Sequence, residues 1–286
     1  MANLKEIRNR IASIGSTMQI TSAMKMVSAA KLKKAQDAIT EMRPYSNKLT
    51  ELLQSLSATL EGDVGSVYAQ KREVNKVLIV AITSNRGLCG AFNSTVIKKS
   101  IDLINNVYAG KQVDVFTIGK KANDLLSKEH NVVANKSELF DDLTFDNTAV
   151  IANELMELYA NETYDSIEIV YNKFKNAATQ ITTHEQFLPI VAASSEQKSN
   201  IDYIFEPSKL EIIEGLIPKS LKTQLYKAVR DSFASEHGAR MTAMHKATDN
   251  ATELRDDLTL IYNKARQASI TNEILEIVGG AEALNN

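Results

Sequence analysis

The stretch Ser84-Asn85-Arg86-Gly87-Leu88-Cys89-Gly90-Ala91-Phe92-Asn93 holds the densest set of reactive and turn-forming residues in the chain. It lies between an apolar run and a helical pattern, where a parallel sheet holds phosphate groups on a helix N-terminus. It has neither the three-glycine spacing of a dinucleotide loop nor the Gly-Lys-Ser/Thr ending of a P-loop, so no lysine is placed to reach a phosphate. A structural turn is the better reading, with Gly87 and Gly90 supplying conformations that other residues resist. Asp114 stands near the start of its expected strand, not its end, and so cannot be a ribose-binding acid. His130, His184, His237 and His245 share no metal-ligand spacing, and one cysteine cannot build a thiolate zinc site. Cys89 could act as a nucleophile, but its apolar neighbours Leu88 and Ala91 favour a buried small hydrophobe. The adjacent acids Asp141-Asp142 and Asp256-Asp257 point to different faces of either a helix or a strand, so they form no acid–base pair. No catalytic constellation, cofactor site or metal site follows from these residues.

The elements that would position them are unusual. The chain has 286 residues, enough for one large or two small domains at about 150 residues each. Only 11 glycines and 4 prolines are present, too few turn residues for a sandwich or barrel, so long helices are favoured. Leu4, Ile7, Ile11, Ile14, Met18, Thr21 and Lys25 are spaced alternately three and four residues apart. That period of about 3.5 keeps one stripe towards a partner helix. With Gly15 the only glycine and no proline before Pro44, helix should run for about 40 residues, or about 60 Å. Pro44 then kinks or restarts it, and it resumes over Tyr45 to Leu60, with Gly62 and Gly65 as the stop.

The other end repeats the pattern from Pro218, a first-turn residue on this reading, to Gly279-Gly280. Its register reads Ala251, Leu254, Leu258, Ile261, Ala265, Ala268. About 60 residues of helix, or about 90 Å, exceed what a compact domain can bury. The two ends most simply pair as an antiparallel coiled coil, with Ala12, Ser16, Ala23, Ala29, Ala30, Ala243, Ala247, Ala251, Ala265 and Ala268 making the seam thin. Alanine's helix propensity accounts for part of that list. Between the ends, Lys76–Ile82, Val113–Gly119 and Ser166–Tyr171 read as buried strands, and Thr179–Ile190 as an edge or terminal strand limited by Pro189. Helices are expected over Thr95–Tyr108, Lys120–Ser127 and Ala149–Ala160, giving a Rossmann-like parallel sheet; Ser194–Asn200 reads as a loop tip. The organisation is thus an α/β domain at 74–195 between coiled-coil helices at 1–60 and 209–286.

Net charge is −2, so the chain as a whole does not suit nucleic acid. Residues 1–60 nevertheless carry nine basic against four acidic groups, so this arm suits an acidic partner, or is a solvated face. A single cysteine excludes an intramolecular disulfide and suits a reducing compartment. No apolar run approaches a membrane span, and the first residues lack an export or import signal. Met24, Met26 and Val27, and Ile274, Leu275, Ile277, Val278, Ala281 and Leu284, make both helices apolar beyond their seams. Such surfaces require another protein around them.

Several motifs resemble the gamma subunit of F-type ATP synthase: the closing run Ile270 to Ala283, Ile20-Thr21 with Ala23-Met24 through Lys31, Arg86-Gly87-Leu88-Cys89-Gly90, Arg240-Met241 with Ala247 to Ala251, and Lys264 to Ser269. The similarity spans the chain, in matching order. It implies a non-catalytic central rotor shaft, without a nucleotide site of its own, that carries torque between a proton-driven membrane ring of c subunits and a hexamer of alpha and beta subunits, with epsilon as a further partner. Torque contacts with beta are implied at Met24 and Lys25, facing an acidic loop, and at Arg240, Arg266, Gln267 and Thr271. Several relatives carry an acid where Lys25 stands, which unsettles that pairing. The stretch Ser194 to Pro207 lacks the cysteine pair of chloroplast relatives. Placement is expected on the cytoplasmic face of a bacterial plasma membrane. The competing reading is a nucleotide-binding α/β enzyme that oligomerises through its coiled coil; a third is a cytoskeletal or membrane-surface scaffold.

Overall fold

The computed structural model describes residues 4–57, 67–70, 72–190 and 209–284. The expected stops at Gly62 and Gly65, the end of the first helix near Leu60, and the Ser194–Asn200 loop lie outside the described residues, as does the side chain of Leu284. The chain divides into two compact units, Met1–Ser28 with Met241–Asn286, and Ala29–Arg240. Among the described residues no helix is long and apolar enough to cross a membrane.

Helix α1 spans Leu4–Ser57 and helix α5 spans Lys209–Leu284. Between them lie β1 (Lys76–Ile82), α2 (Phe92–Asp102) continued by a π-helical turn (Leu103–Val107), β2 (Gln112–Ile118), α3 (Lys120–Leu126), β3 (Val132–Asn135), α4 (Phe145–Ala160), β4 (Ser166–Phe174) and β5 (Gln180–Leu188).

In the larger unit the strands form one sheet in the order β3-β2-β1-β4-β5. The pairs β2/β3, β1/β2 and β1/β4 are parallel, and β5 is an antiparallel edge. Alternation along β1 divides the core. Val77, Ile79 and Ala81 meet Val96 and Ile97 of α2 and Ala122 and Leu126 of α3. Leu78, Val80 and Ile82 meet Ile151, Leu155 and Tyr159 of α4 and Leu221, Leu225 and Val229 of α5. Both faces are therefore covered, which is why β1 is continuously apolar. Each such fully buried aliphatic side chain contributes about 1.5–3 kcal/mol. Edge strand β5 is half-buried or exposed from Gln180 to Gln186 and buried only at Phe187 and Leu188, after which Pro189 has no N–H to donate to the ladder. Strand β3 was not expected from the sequence: its four residues are half-buried or exposed and too short for a periodic signal.

Two prolines lie inside helices: α1 is not restarted at Pro44, and α5 does not begin at Pro218 as the sequence predicted. Pro44 lies within α1, and Pro218 lies nine residues after the first described residue of α5 instead of in its first turn. A helical proline costs about 3 kcal/mol through one lost bond and one clash. Packing on both sides outweighs it. Leu32, Ala35, Ile39, Ser46 and Leu49 are buried, with half-buried Met42 carrying the stripe between Ile39 and Ser46, and Ile217 and Leu221 flank Pro218. Gly279 and Gly280 likewise fall inside α5.

In the smaller unit, α1 and α5 pair antiparallel. Arg8 donates to the Tyr262 hydroxyl (2.6 Å), Thr21 and Thr248 share a hydroxyl hydrogen bond (2.8 Å), and Lys25 lies 3.3 Å from His245 Nδ1. Across these contacts the residue number rises on α1 as it falls on α5, which fixes the direction. The α1 seam follows the expected positions, with Ile7 and Thr21 buried and Leu4, Ile11, Ile14, Met18 and Lys25 half-buried. The α5 seam departs from its expected register. Ala251, Leu258 and Ala265 turn inward, but the alternate positions are Arg255, Tyr262 and Ser269; Leu254 and Ile261 are each 51% exposed. Amphipathic side chains take those sites because their stems pack while their polar ends find Met18 and Arg8. Ala12, Ser16, Ala23, Ala30 and Ala268 are exposed and outside the seam, so the four alanines among them serve helix propensity.

Candidate functional site

The β1–α2 turn, the place for a phosphate in such a sheet, is occupied by the protein itself. Ser84 N donates to Asn93 Oδ1 (2.9 Å), and Asn93 Nδ2 donates to Cys89 Sγ (3.2 Å). Beside it, at the end of β4, buried Asn172 donates to the Phe92 carbonyl (2.8 Å) and accepts from Thr182 (2.7 Å). These bonds fill the crevice between β1 and β4, where the strand order reverses and ligands of parallel sheets normally sit. Gly90 adopts the expected left-handed conformation (φ +59°), whereas the second left-handed residue is Leu88 (φ +61°), not Gly87. Cys89 is 1% exposed, and burial pushes its thiol above the usual range, which disfavours the nucleophilic thiolate.

The remaining candidates are also structural. Asp114 accepts from Tyr164 and Asn131 (both 2.9 Å). His184 Nε2 lies 2.7 Å from Glu168, a buried carboxylate that also accepts from Tyr108 and Ser166 (both 2.9 Å). Among the described residues buried His237 finds no partner for either ring nitrogen, and burial lowers its pKa to about 3. Among the described residues no three His, Cys, Asp or Glu side chains are placed to hold a metal ion.

The six implied contact residues fall into three groups. Met24 and half-buried Lys25 lie on α1 at the level of His245. His245 Nδ1 is 3.3 Å from both Lys25 Nζ and Asp249 Oδ2. Nδ1 serves one at a time, accepting from Lys25 in the tautomer without a hydrogen there and donating to Asp249 in the tautomer that has one. Arg266, Gln267 and Thr271 are exposed on α5, and the Thr271 hydroxyl donates to the Gln267 carbonyl (2.9 Å). They lie about 21 residues beyond His245, roughly 30 Å along the helix, so the structure does not bring these two groups together. Arg240 belongs to neither: it is 7% exposed and bonded within its own unit, to Glu236 and to the carbonyls of Arg86 and Gly87. The Glu-x-x-x-Arg spacing of Glu236 and Arg240 is the sequence signal of this helical ion pair.

Large apolar side chains surround the contact residues. Ile20, Met26 and Val27 on α1, and Ile270, Ile274, Leu275, Ile277 and Val278 on α5, are 47–71% exposed. A surface of this kind suits contact with another protein.

A family model described as ATP synthase matches residues 3–284. The ATP synthase gamma chain of Christiangramia forsetii is 70% identical over 285 residues, covering 100% of each chain. That of Flavobacterium johnsoniae is 73% identical over 286 residues, again covering 100% of each. Among solved structures, a central stalk/c-ring chain of Tetrahymena thermophila mitochondrial ATP synthase is 25% identical with a TM-score of 0.59, covering 80% of this chain and 99% of that one. A rotor chain of Euglena gracilis mitochondrial ATP synthase shares the fold at 21% identity and a TM-score of 0.67, covering 93% of this chain and 98% of that one.

Proposed function

The chain belongs to the ATP synthase gamma-chain family, and on that premise we propose that it is the central rotor shaft that couples ion flow to ATP synthesis and hydrolysis. It is a non-catalytic subunit. Residues 1–60 and 209–286 act as the paired shaft helices, turning within a hexamer of alpha and beta subunits. Residues 74–195 act as the α/β domain that meets epsilon and the c-ring. The complex is membrane-bound, and we place this subunit on the cytoplasmic face of a bacterial plasma membrane, driven by protons.

The observation that carries this reading is the apolar surface on α1 and α5. Side chains from Ile270 to Val278 that are 47–71% exposed are covered by nothing among the described residues, and a surrounding sleeve supplies a cover. An apolar lining suits rotation because few directional bonds break per step. Met24, Lys25, Arg266, Gln267 and Thr271 are the proposed torque contacts with beta. Arg266 and Gln267 present polar groups with no competing side-chain partner among the described contacts.

Replacing both Arg266 and Gln267 with Ala should lower coupled ATP synthesis in reconstituted vesicles several-fold while helicity stays at the parent value. Unchanged synthesis would remove both residues from the torque path. The crevice filled by Asn172 and Asn93 argues against the alternative of a nucleotide-binding enzyme, and calorimetric titration with ATP should show no stoichiometric binding.

A further inference from the structure

We propose that Arg240 is a positioning residue, which with Glu236 forms a buried latch that fixes the β1–α2 turn and presents Arg86, Gly87 and Leu88 in one conformation. The geometry lies wholly within the larger unit. Arg240 Nη2 donates to two consecutive carbonyls, Arg86 O (3.1 Å) and Gly87 O (3.2 Å), while Nη1 bonds Glu236. One guanidinium nitrogen bridging neighbouring carbonyls sets the orientation of the peptide between them. From the other side the Ser84 hydroxyl donates to the same Arg86 carbonyl (2.6 Å).

The next residue shows what the latch holds. Leu88 has φ +61°, a conformation that Leu rarely adopts, and its side chain is 67% exposed, so its own packing does little to offset the strain. Strain of this kind persists only where surrounding bonds over-determine the backbone. Glu236 makes the buried guanidinium tolerable. Both are more than nine-tenths buried, and a charged arginine without a counter-ion there would be costly. Burial raises the Glu236 pKa, opposed by Arg240 and more weakly by Lys31 and Arg86.

Arg240 therefore influences any partner through the turn it holds, not by its own touch. This differs from the direct contact implied by its motif, and it stands whether or not the shaft reading does.

Cys89, the chain's one cysteine, is the probe, because it is 1% exposed and lies inside the turn. Its labelling by a small aromatic disulfide reagent in the full chain reports turn opening. Arg240→Lys keeps the charge but loses the fork. It should speed labelling about tenfold, the loss expected for a charge-assisted hydrogen bond. Adding Leu88→Gly should return the rate to within about twofold of the parent, because glycine adopts positive φ without penalty. Loss of packing alone would not be rescued in this way. Parent-rate labelling of Arg240→Lys, or failure of Leu88→Gly to slow it, would overturn the latch. Should Arg240→Lys not fold, Glu236→Gln carries the same test, with the same acceleration and rescue expected.

Discussion

His237 shows how much a single side chain can be asked to tolerate in this fold. Its ring stands edge-on against Phe233 at 4.5 Å, and both nitrogens lack partners among the described residues, so the neutral form is enforced by burial and by the nearby positive charges of Arg240 and Lys31. Its folded pKa of about 3 lies below the usual 6.5. Below 6.5 the unfolded chain binds a proton that the folded chain refuses, so stability falls as pH drops from about 6.5 towards 3. The loss is at most about 1.4 kcal/mol per pH unit from this group. His237→Leu should remove that slope, seen as a smaller difference between urea midpoints at pH 7 and pH 5 than the parent shows; equal differences would mean that the ring takes up a proton in place. The sequence marks His237 as lacking metal-ligand spacing, but it cannot show burial without a partner, which depends on helices brought together from distant parts of the chain. Gly87 and Leu88 make a similar case. Composition points to the glycine as the left-handed residue, yet carbonyl bonds from Arg240, 153 and 154 positions away, go with the strain at Leu88.

At the scale of elements, the three–four rhythm of α1 from Leu4 to Lys25 is legible because those positions are mostly apolar, whereas the small residues Ala12, Ser16, Ala23 and Ala30 lie outside the seam. On α5 apolarity misled, since the side chains of Leu254 and Ile261 face outward while Arg255 and Tyr262 turn to the seam. A register derived from hydrophobicity assumes that the apolar face is the one buried within the chain. Here a second apolar face exists, and the two differ by one residue in every seven. Ala251 is common to both registers and is 9% exposed. Ala251→Pro should break α5 there at a cost of about 3 kcal/mol or more, read as lost helicity and a lowered melting temperature. Retained helicity would mean that packing tolerates proline at this seam as it does at Pro44. The strands were legible where burial on both faces made them continuously apolar, as in β1. They were not where an edge position left only four half-exposed residues, as in β3.

For the whole molecule, the second apolar face is the property that ties sequence to function. A chain free in solution gains nothing from exposing Ile274 and Ile277, which are 55% and 71% exposed. Removing them should therefore affect the free chain and the complex in opposite ways. Ile274→Ser with Ile277→Ser should leave the melting temperature of the free chain within about 2 °C, since exposed substitutions change stability by about 0.5 kcal/mol or less. The same pair should weaken incorporation into the alpha–beta hexamer, because burying each isoleucine contributes about 1.5–3 kcal/mol. Competition between parent and variant chains during reconstitution, read by mass, would show the parent favoured at least tenfold. Equal incorporation would mean that these side chains stay exposed in the assembly, and the apolar-sleeve reading of the final turns would fail while the family assignment stood.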